Sequence, residues 1–229
     1  MGTGVAMNAR NWRTAPWAAL AAVALVAGCG GGPGNENGNG TVYGEVGSAV
    51  RSLITGRDGG GRVTATAEQL RNNPDPLIVV AIPKRDLSAG LTRQAVIPGG
   101  EVWATQGGVT VTLENGQIRT TRGIGHDLMS VEAPDVRTAR GGTVRDHYQL
   151  GGDELPLRLR YFCEIADAGP QRVTVAGVSY PTRLITERCR SDAAAFENRY
   201  WVQSNGLIRK SVQFVTPELG PFEIEDIHG

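Results

Sequence analysis

Histidine and cysteine are scarce in this 229-residue sequence, with three of each, and neither charge sign is in excess, 23 Lys and Arg standing against 23 Asp and Glu. With only His126, His147 and His228 present, a side-chain nucleophile has few bases to choose from. Ser179, in GVSYP, also lacks the second glycine of a nucleophile elbow. No histidine lies at ligand spacing from Cys163 or Cys189, which argues against a metal site there. No basic stripe and no lysine cluster interleaved with aromatics appears, which argues against nucleic acid as a partner. The glycine run GRDGGGR at residues 56–62 is followed by no Gly-Lys-Ser/Thr, so it reads as a connector rather than a phosphate cradle.

The apolar run near the start, APWAALAAVALVAG at residues 15–28, is too short to cross a bilayer as a stable helix. Arg10 and Arg13 precede it with no acidic side chain, which is the layout of a secretory signal. Val26, Ala27 and Gly28 place small or modest side chains directly before Cys29, as in a bacterial lipobox. There the cysteine thiol is diacylated, the signal is cut before it, and the new amino terminus is acylated. Leucine is commoner than valine at the position of Val26, and the alternative is an ordinary secreted protein with a chance cysteine at its mature end. Each buried methylene contributes about 0.8 kcal/mol, so several acyl chains would hold the protein on a membrane.

Residues 30–40, GGGPGNENGNG, lack apolar side chains and suit a flexible spacer between lipid and fold. Gly30, rather than an aspartate, follows the cysteine, as in lipoproteins forwarded to the outer membrane. The expected location is therefore the bacterial envelope, lipid-anchored at the outer membrane and facing the periplasm. The expected organisation is a signal over 1–28, lipidated Cys29 with a linker over 29–40, and one domain over 41–229. Loss of Arg10 and Arg13 with the signal leaves the mature chain slightly acidic.

With Cys29 committed to lipid, Cys163 and Cys189 are the remaining pair in a chain headed for an oxidising compartment. A bridge between them closes a loop of about 26 residues and contributes about 3.5 kcal/mol on the chain-entropy account. Two buried free thiols are the alternative.

Val46, Val50, Leu53 and Ile54 share one helical face and Gly56 is a plausible stop, so a helix is expected there. TAEQL, residues 66–70, carries a capping box and predicts a second short helix ending before Pro74 and Pro76. LIVVAI, residues 77–82, reads as a strand buried on both faces. From residue 91 onward the pattern is short strands and tight turns. TRQAVI ends at Pro98-Gly99-Gly100, EVWAT at Gly107-Gly108, and VTVTLE runs through Asn115-Gly116 into QIRTT. Asn-Gly between alternating segments predicts a hairpin, and a second hairpin is expected to join RYWVQ to LIRKSVQFV across Ser204-Asn205-Gly206. Leu157, Leu159, Tyr161, Cys163 and Ile165 alternate with Arg158, Arg160, Phe162 and Glu164, as in a strand with one buried face. The domain is expected to be mainly β, an antiparallel meander with one or two short N-terminal helices.

Residues 77–128 carry a further likeness. NNPDPLIVVAI, then EVWATQGGVTVTLENGQIRTTRGIGHDL, resembles the YjbF/GfcB lipoproteins, the group 4 capsule polysaccharide lipoprotein family. The shared features are an asparagine-proline helix end before an apolar strand, a tryptophan strand, a hairpin at Gly116, and Thr121, Gly123 and Asp127 in a Thr-x-Gly-x-x-x-Asp stretch. The resemblance implies bent or partly open sheets or a barrel. It also implies a periplasm-facing lipoprotein that works with the machinery of capsule or exopolysaccharide assembly and export. It carries no catalytic residue and no cofactor to a numbered position here, and it does not account for Cys163 and Cys189.

The residues themselves favour binding over catalysis. His126-Asp127 and Asp146-His147 are adjacent pairs that diverge to opposite faces on a strand and otherwise read as solvated loop positions, Asp127 equally as a turn cap. A glycan-processing enzyme needs a convergent carboxylate pair. Asp153-Glu154 and the group Glu223, Glu225 and Asp226 read as solvated turn or terminal sequence. For a sugar polymer the candidate contacts are Trp103, Trp201, Arg119, Arg122 and Asp127, with Arg158 and Arg160 as further cations for an acidic chain. Packing in the core or along the sheet is the competing role of each. The expected function is a non-enzymatic accessory lipoprotein whose partners are the membrane, other export proteins and the polymer. A polysaccharide hydrolase or lyase with a cleft around Asp127, Asp146 or Asp153 is the first alternative, and a structural envelope lipoprotein the second.

Overall fold

The structure is a computed structural model that describes residues 63, 65–152, 155–192 and 194–228. The signal, Cys29, the linker and the helix expected over 46–54 lie outside the described residues, as do Asp153 and Glu154. The capping box forms as the sequence predicts. Thr66 Oγ1 accepts from the Gln69 amide, Gln69 Oε1 accepts from the Thr66 amide, and helix α1 runs Ala67–Arg71.

Twelve strands follow: β1 Leu77–Ile82, β2 Leu87–Ile97, β3 Gly100–Ala104, β4 Thr110–Glu114, β5 Gln117–Arg122 and β6 Leu128–Glu132. The second half is β7 Gly141–Leu150, β8 Pro156–Val175, β9 Val178–Arg190, β10 Ala195–Val202, β11 Ile208–Thr216 and β12 Gly220–Asp226. A short 3-10 helix, Pro83–Arg85, makes the β1–β2 turn. All pairings are antiparallel, and the order β5-β4-β3-β2-β1-β12-β11-β10-β9-β8-β7-β6 joins the first strand to the last through β1–β12. The sheet is thus a meander rolled into a nearly closed barrel, more closed than bent or open sheets. GPFEIED, which reads as terminal sequence, is the strand that makes the roll possible, with Phe222 and Ile224 turned inward and Glu223 and Glu225 outward.

The ends of the barrel differ. At the end formed by the β1–β2, β5–β6 and β11–β12 turns, Ile82, Leu128, Val215, Leu219 and Phe222 fill the interior. The described chain also begins at this end, where the Val63 amide donates to Ser88 Oγ just after the β1–β2 turn. Removing such a core leucine costs about 2–5 kcal/mol. The opposite end, formed by the β2–β3, β4–β5 and β10–β11 turns, is open.

Polar side chains occupy the barrel centre, and those around Glu187 are joined in one network. Glu187, fully buried, accepts from Arg145 Nε and Nη2 at 3.0 and 2.9 Å, from Asn198 Nδ2 at 2.8 Å and from the Tyr200 hydroxyl at 3.1 Å. Burial pushes the Glu187 carboxyl up, but Arg145 and these donors together hold it below the usual carboxylate range. Cys163 and Cys189 are cross-strand neighbours of β8 and β9 on the inner face and are joined by a disulfide. Beyond a bulge between Asp167 and Pro170, the far half of the β8–β9 hairpin folds back over the outer face of the sheet. There Val173 packs on Trp201 and Val212, and Val175 packs on Leu77 and Ile227. This cover buries Leu77 and half-buries Val79 on the outer face, so the strand Leu77–Ile82 is fully buried on its inner face and only partly on its outer one.

Asp146 and His147 lie mid-strand on β7 and are buried, not in a solvated loop. Asp146 faces outward and is clamped by Arg158 and Arg160. His147 faces inward among Tyr161, Phe196 and Phe214. Burial, then the charge of Arg145, lowers its pKa to about 3. The unfolded chain therefore takes up a proton below about pH 6.5 that the folded chain refuses, and stability falls with pH by up to about 1.4 kcal/mol per unit in that window. Glu187 and Asp135, whose carboxyls are also held low, add their loss only as the medium approaches the ordinary carboxylate range. Urea midpoints measured from pH 7 to 5 are expected to fall in the wild type and to fall less steeply in His147→Leu. Parallel slopes would show that His147 is not the group responsible.

Candidate functional site

The open end of the barrel holds a cavity of about 560 Å³. Its rim comes from the tight turns that the sequence marks. Asn115 and Gly116 take φ of 52° and 76°, as a two-residue hairpin turn requires. A Cβ on Gly116 would come within 2.9 Å of Ile208 Cβ, so glycine lets this turn lie against β11. Gly100 opens β3 with φ 144°, where a Cβ would collide with the Leu113 carbonyl oxygen. Val96 and Ile97, 69% and 45% exposed, form an apolar lip, while Ile78, Leu113, Ile208 and Ile224 line the wall below.

Trp103 forms part of that wall. Only 4% of it is exposed, the Arg93 guanidinium lies 5.9 Å from its ring centre, and its buried indole N–H has no hydrogen-bond partner among the described residues. Three carboxylates share the lining. Glu101 pairs with Arg93 at 2.7 Å, Glu114 with Arg119 at 2.6 Å, and Asp226 stands 3.9 Å from Arg209. Arg137 contributes the one lining guanidinium and is held by Asp135, whose carboxyl it lowers, with Nε–Oδ1 and Nη2–Oδ2 at 3.0 and 2.6 Å. Ser211 and the turn residues Asn115 and Asn205 add neutral polar groups. An apolar lip, an indole wall and many acceptors suit a hydroxyl-rich ligand more than a reaction centre.

Of the sequence-derived contact residues, only Trp103 reaches this mouth. Trp201 lies under the folded-back hairpin, its indole N–H donating to Gln171 Oε1 at 2.8 Å. Arg119, Arg122 and Asp127 work at the seam where β5 meets β6. Among the described residues these two strands share no backbone ladder, and β5 side chains take its place. Arg122 donates to the Leu128 and Met129 carbonyls at 2.6 and 3.2 Å, and Arg119 to those of Val131 and Ala133 at 3.4 and 3.2 Å. Thr121 Oγ1 accepts from the Leu128 amide and donates to Asp127. Asp127 also caps the seam turn by accepting from the amides of Gly123, Ile124 and Gly125.

Asp127 at that turn and Asp146 on the outer face of β7 do not converge on a cleft. Cys163, Glu187 and Cys189 place ligand-type atoms within 4.8 Å of one another, but the disulfide removes both thiolates a metal would need. Ser211, Asp226 and Arg137 were not singled out by sequence reasoning as site residues. Their only signal was proximity to turns or the chain end, and closure of the barrel is what gathers them.

A nearly closed antiparallel meander with a polar interior and a cavity at its one open end is a barrel-like β-sheet. The chain belongs to the YjbF family, described as group 4 capsule polysaccharide lipoproteins, whose model matches residues 47–227. It is 26% identical over 130 residues to the uncharacterized lipoprotein YjbF of Escherichia coli (strain K12), a match spanning 54% of this chain and 61% of that protein. The crystal structure of the hypothetical lipoprotein YmcC from Escherichia coli (K12) superposes with a TM-score of 0.66 at 14% identity, covering 84% of this chain and 98% of that one. That likeness is one of fold.

The seam predicts how its arginines behave. Arg122→Ala and Arg119→Ala are each expected to lower stability by about 1–2 kcal/mol, since each strands carbonyls of β6. Thermal midpoints check this, and unchanged midpoints in both variants would show that the seam does not depend on them.

Proposed function

We propose that the protein is a non-enzymatic accessory lipoprotein of capsule or exopolysaccharide assembly and export. Cys29 anchors it at the outer membrane with the barrel in the periplasm. The mouth contacts the polymer, and the outer faces of the barrel serve other export proteins. The observation that carries this reading is the mouth cavity, with its indole wall and acceptor-rich lining, in a member of a family named for capsule polysaccharide.

Two features support it. Val63 lies at the filled end of the barrel, opposite the mouth. Each carboxylate of the mouth is paired with an arginine rather than with another carboxylate, unlike the convergent acid pair of a glycosidase.

The test is the amount and chain length of surface and secreted polysaccharide in a strain lacking the gene, against the same strain restored with the intact gene. Loss of exported polymer with chains of unchanged length retained inside is the expected result. Normal export with altered chain length would replace this reading with an enzymatic one, and no change in either would reduce the protein to a structural envelope component.

A further inference from the structure

We infer that the mouth takes an uncharged sugar unit, a hexose or N-acetylhexosamine, in preference to a uronic acid or another anionic unit. This rests on the reading of the mouth as the polymer site and adds the class of sugar it admits.

The charge of the lining is the first observation. Glu101, Glu114 and Asp226 line the cavity, against the single guanidinium of Arg137, which Asp135 already holds. The arginines beside the carboxylates, Arg93, Arg119 and Arg209, are not part of the lining. Each of these cations is already paired with a carboxylate, so an anionic ligand finds no free guanidinium among the described lining residues and must still leave water for a partly desolvated space. A neutral sugar meets acceptors, and each of its hydroxyls is a donor to match them.

The second observation is independent of charge. The Trp103 ring forms wall, and its buried N–H has no partner among the described residues. A buried donor left unsatisfied is costly, and a ligand acceptor that reaches it through a small turn of the ring recovers that cost. A hydroxyl or the carbonyl of an N-acetyl group supplies one without bringing charge. The exposed lip of Val96 and Ile97 offers apolar surface to the C–H face of a sugar ring. The arginines that sequence alone offers to an acidic polymer are committed elsewhere, Arg119 and Arg122 to the seam and Arg158 and Arg160 to Asp146.

The experiment is calorimetric titration of the full-length protein in detergent with three tetrasaccharides: cellotetraose, tetra-N-acetylchitotetraose and tetragalacturonate. At least one uncharged probe is expected to bind about 10-fold or more tightly than the uronate at low salt. Trp103→Phe, which keeps the wall filled, is expected to weaken that binding several-fold. Val96→Arg, at an exposed position that the fold tolerates, is expected to narrow the gap by moving the uronate toward the uncharged probe.

Tighter binding of tetragalacturonate, lost in Trp103→Phe, would overturn the choice of sugar and leave the mouth as the polymer site. Binding of none of the three by protein with a native near-ultraviolet spectrum, or binding indifferent to both Trp103→Phe and Val96→Arg, would overturn the inference together with the reading on which it rests.

Discussion

A rolled antiparallel sheet must dispose of its two edges, and in this protein that problem is concentrated between β5 and β6. Ten of the twelve strands have a hydrogen-bonded neighbour on both sides, while these two are the ends of the order. Their joint is made by side chains: the guanidinium groups of Arg119 and Arg122 and the hydroxyl of Thr121 reach the β6 backbone. Gln117 extends the joint by donating to the Pro134 carbonyl and accepting from the Val136 amide. Edge groups that would otherwise be a template for another chain are thereby occupied. Four β5 side chains do the work of a ladder, and the β5–β6 turn owes its shape to one of their partners, Asp127.

The same closure creates an interior too polar to be an ordinary core. Glu187 is tolerable at zero exposure because Arg145, Asn198 and Tyr200 converge on it from β7 and β10. Gln213 plays a comparable role across the barrel. From β11 it accepts from the Ile118 amide, which a register shift in β4–β5 leaves free of its ladder, and it donates to the Gly116 carbonyl. That contact ties the mouth turn at Asn115-Gly116 to the opposite wall. The shape of the mouth and the polar centre are therefore one construction, and the rim is braced from inside.

The barrel is also directional. Leu219, Phe222 and Leu128 seal the end where the described chain begins, and the open end carries Trp103 and the three carboxylates. The folded-back β8–β9 hairpin adds a second layer over part of the outer face and removes Trp201 from the surface.

The sequence by itself determined the local elements. Thr66 and Gln69 specified the helix start, Asn115-Gly116 the hairpin, and the alternation up to Ile165 a strand whose one face is buried from Tyr161 onward while Leu157 stays exposed, because caps, turns and pleats depend on neighbours a few residues apart. The motifs of residues 77–128 were also sufficient for the family. Tertiary structure alone decided what the marked residues do. Arg119, Arg122 and Asp127 look like free surface groups until β6 is laid beside β5, and Asp226 looks terminal until β12 pairs with β1. Trp103 and Trp201 are the same residue type in similar strands, yet one walls an open cavity and the other lies under a hairpin. Which of two such residues is left lining a cavity is set by contacts between segments distant in sequence, and no local pattern of side chains encodes them.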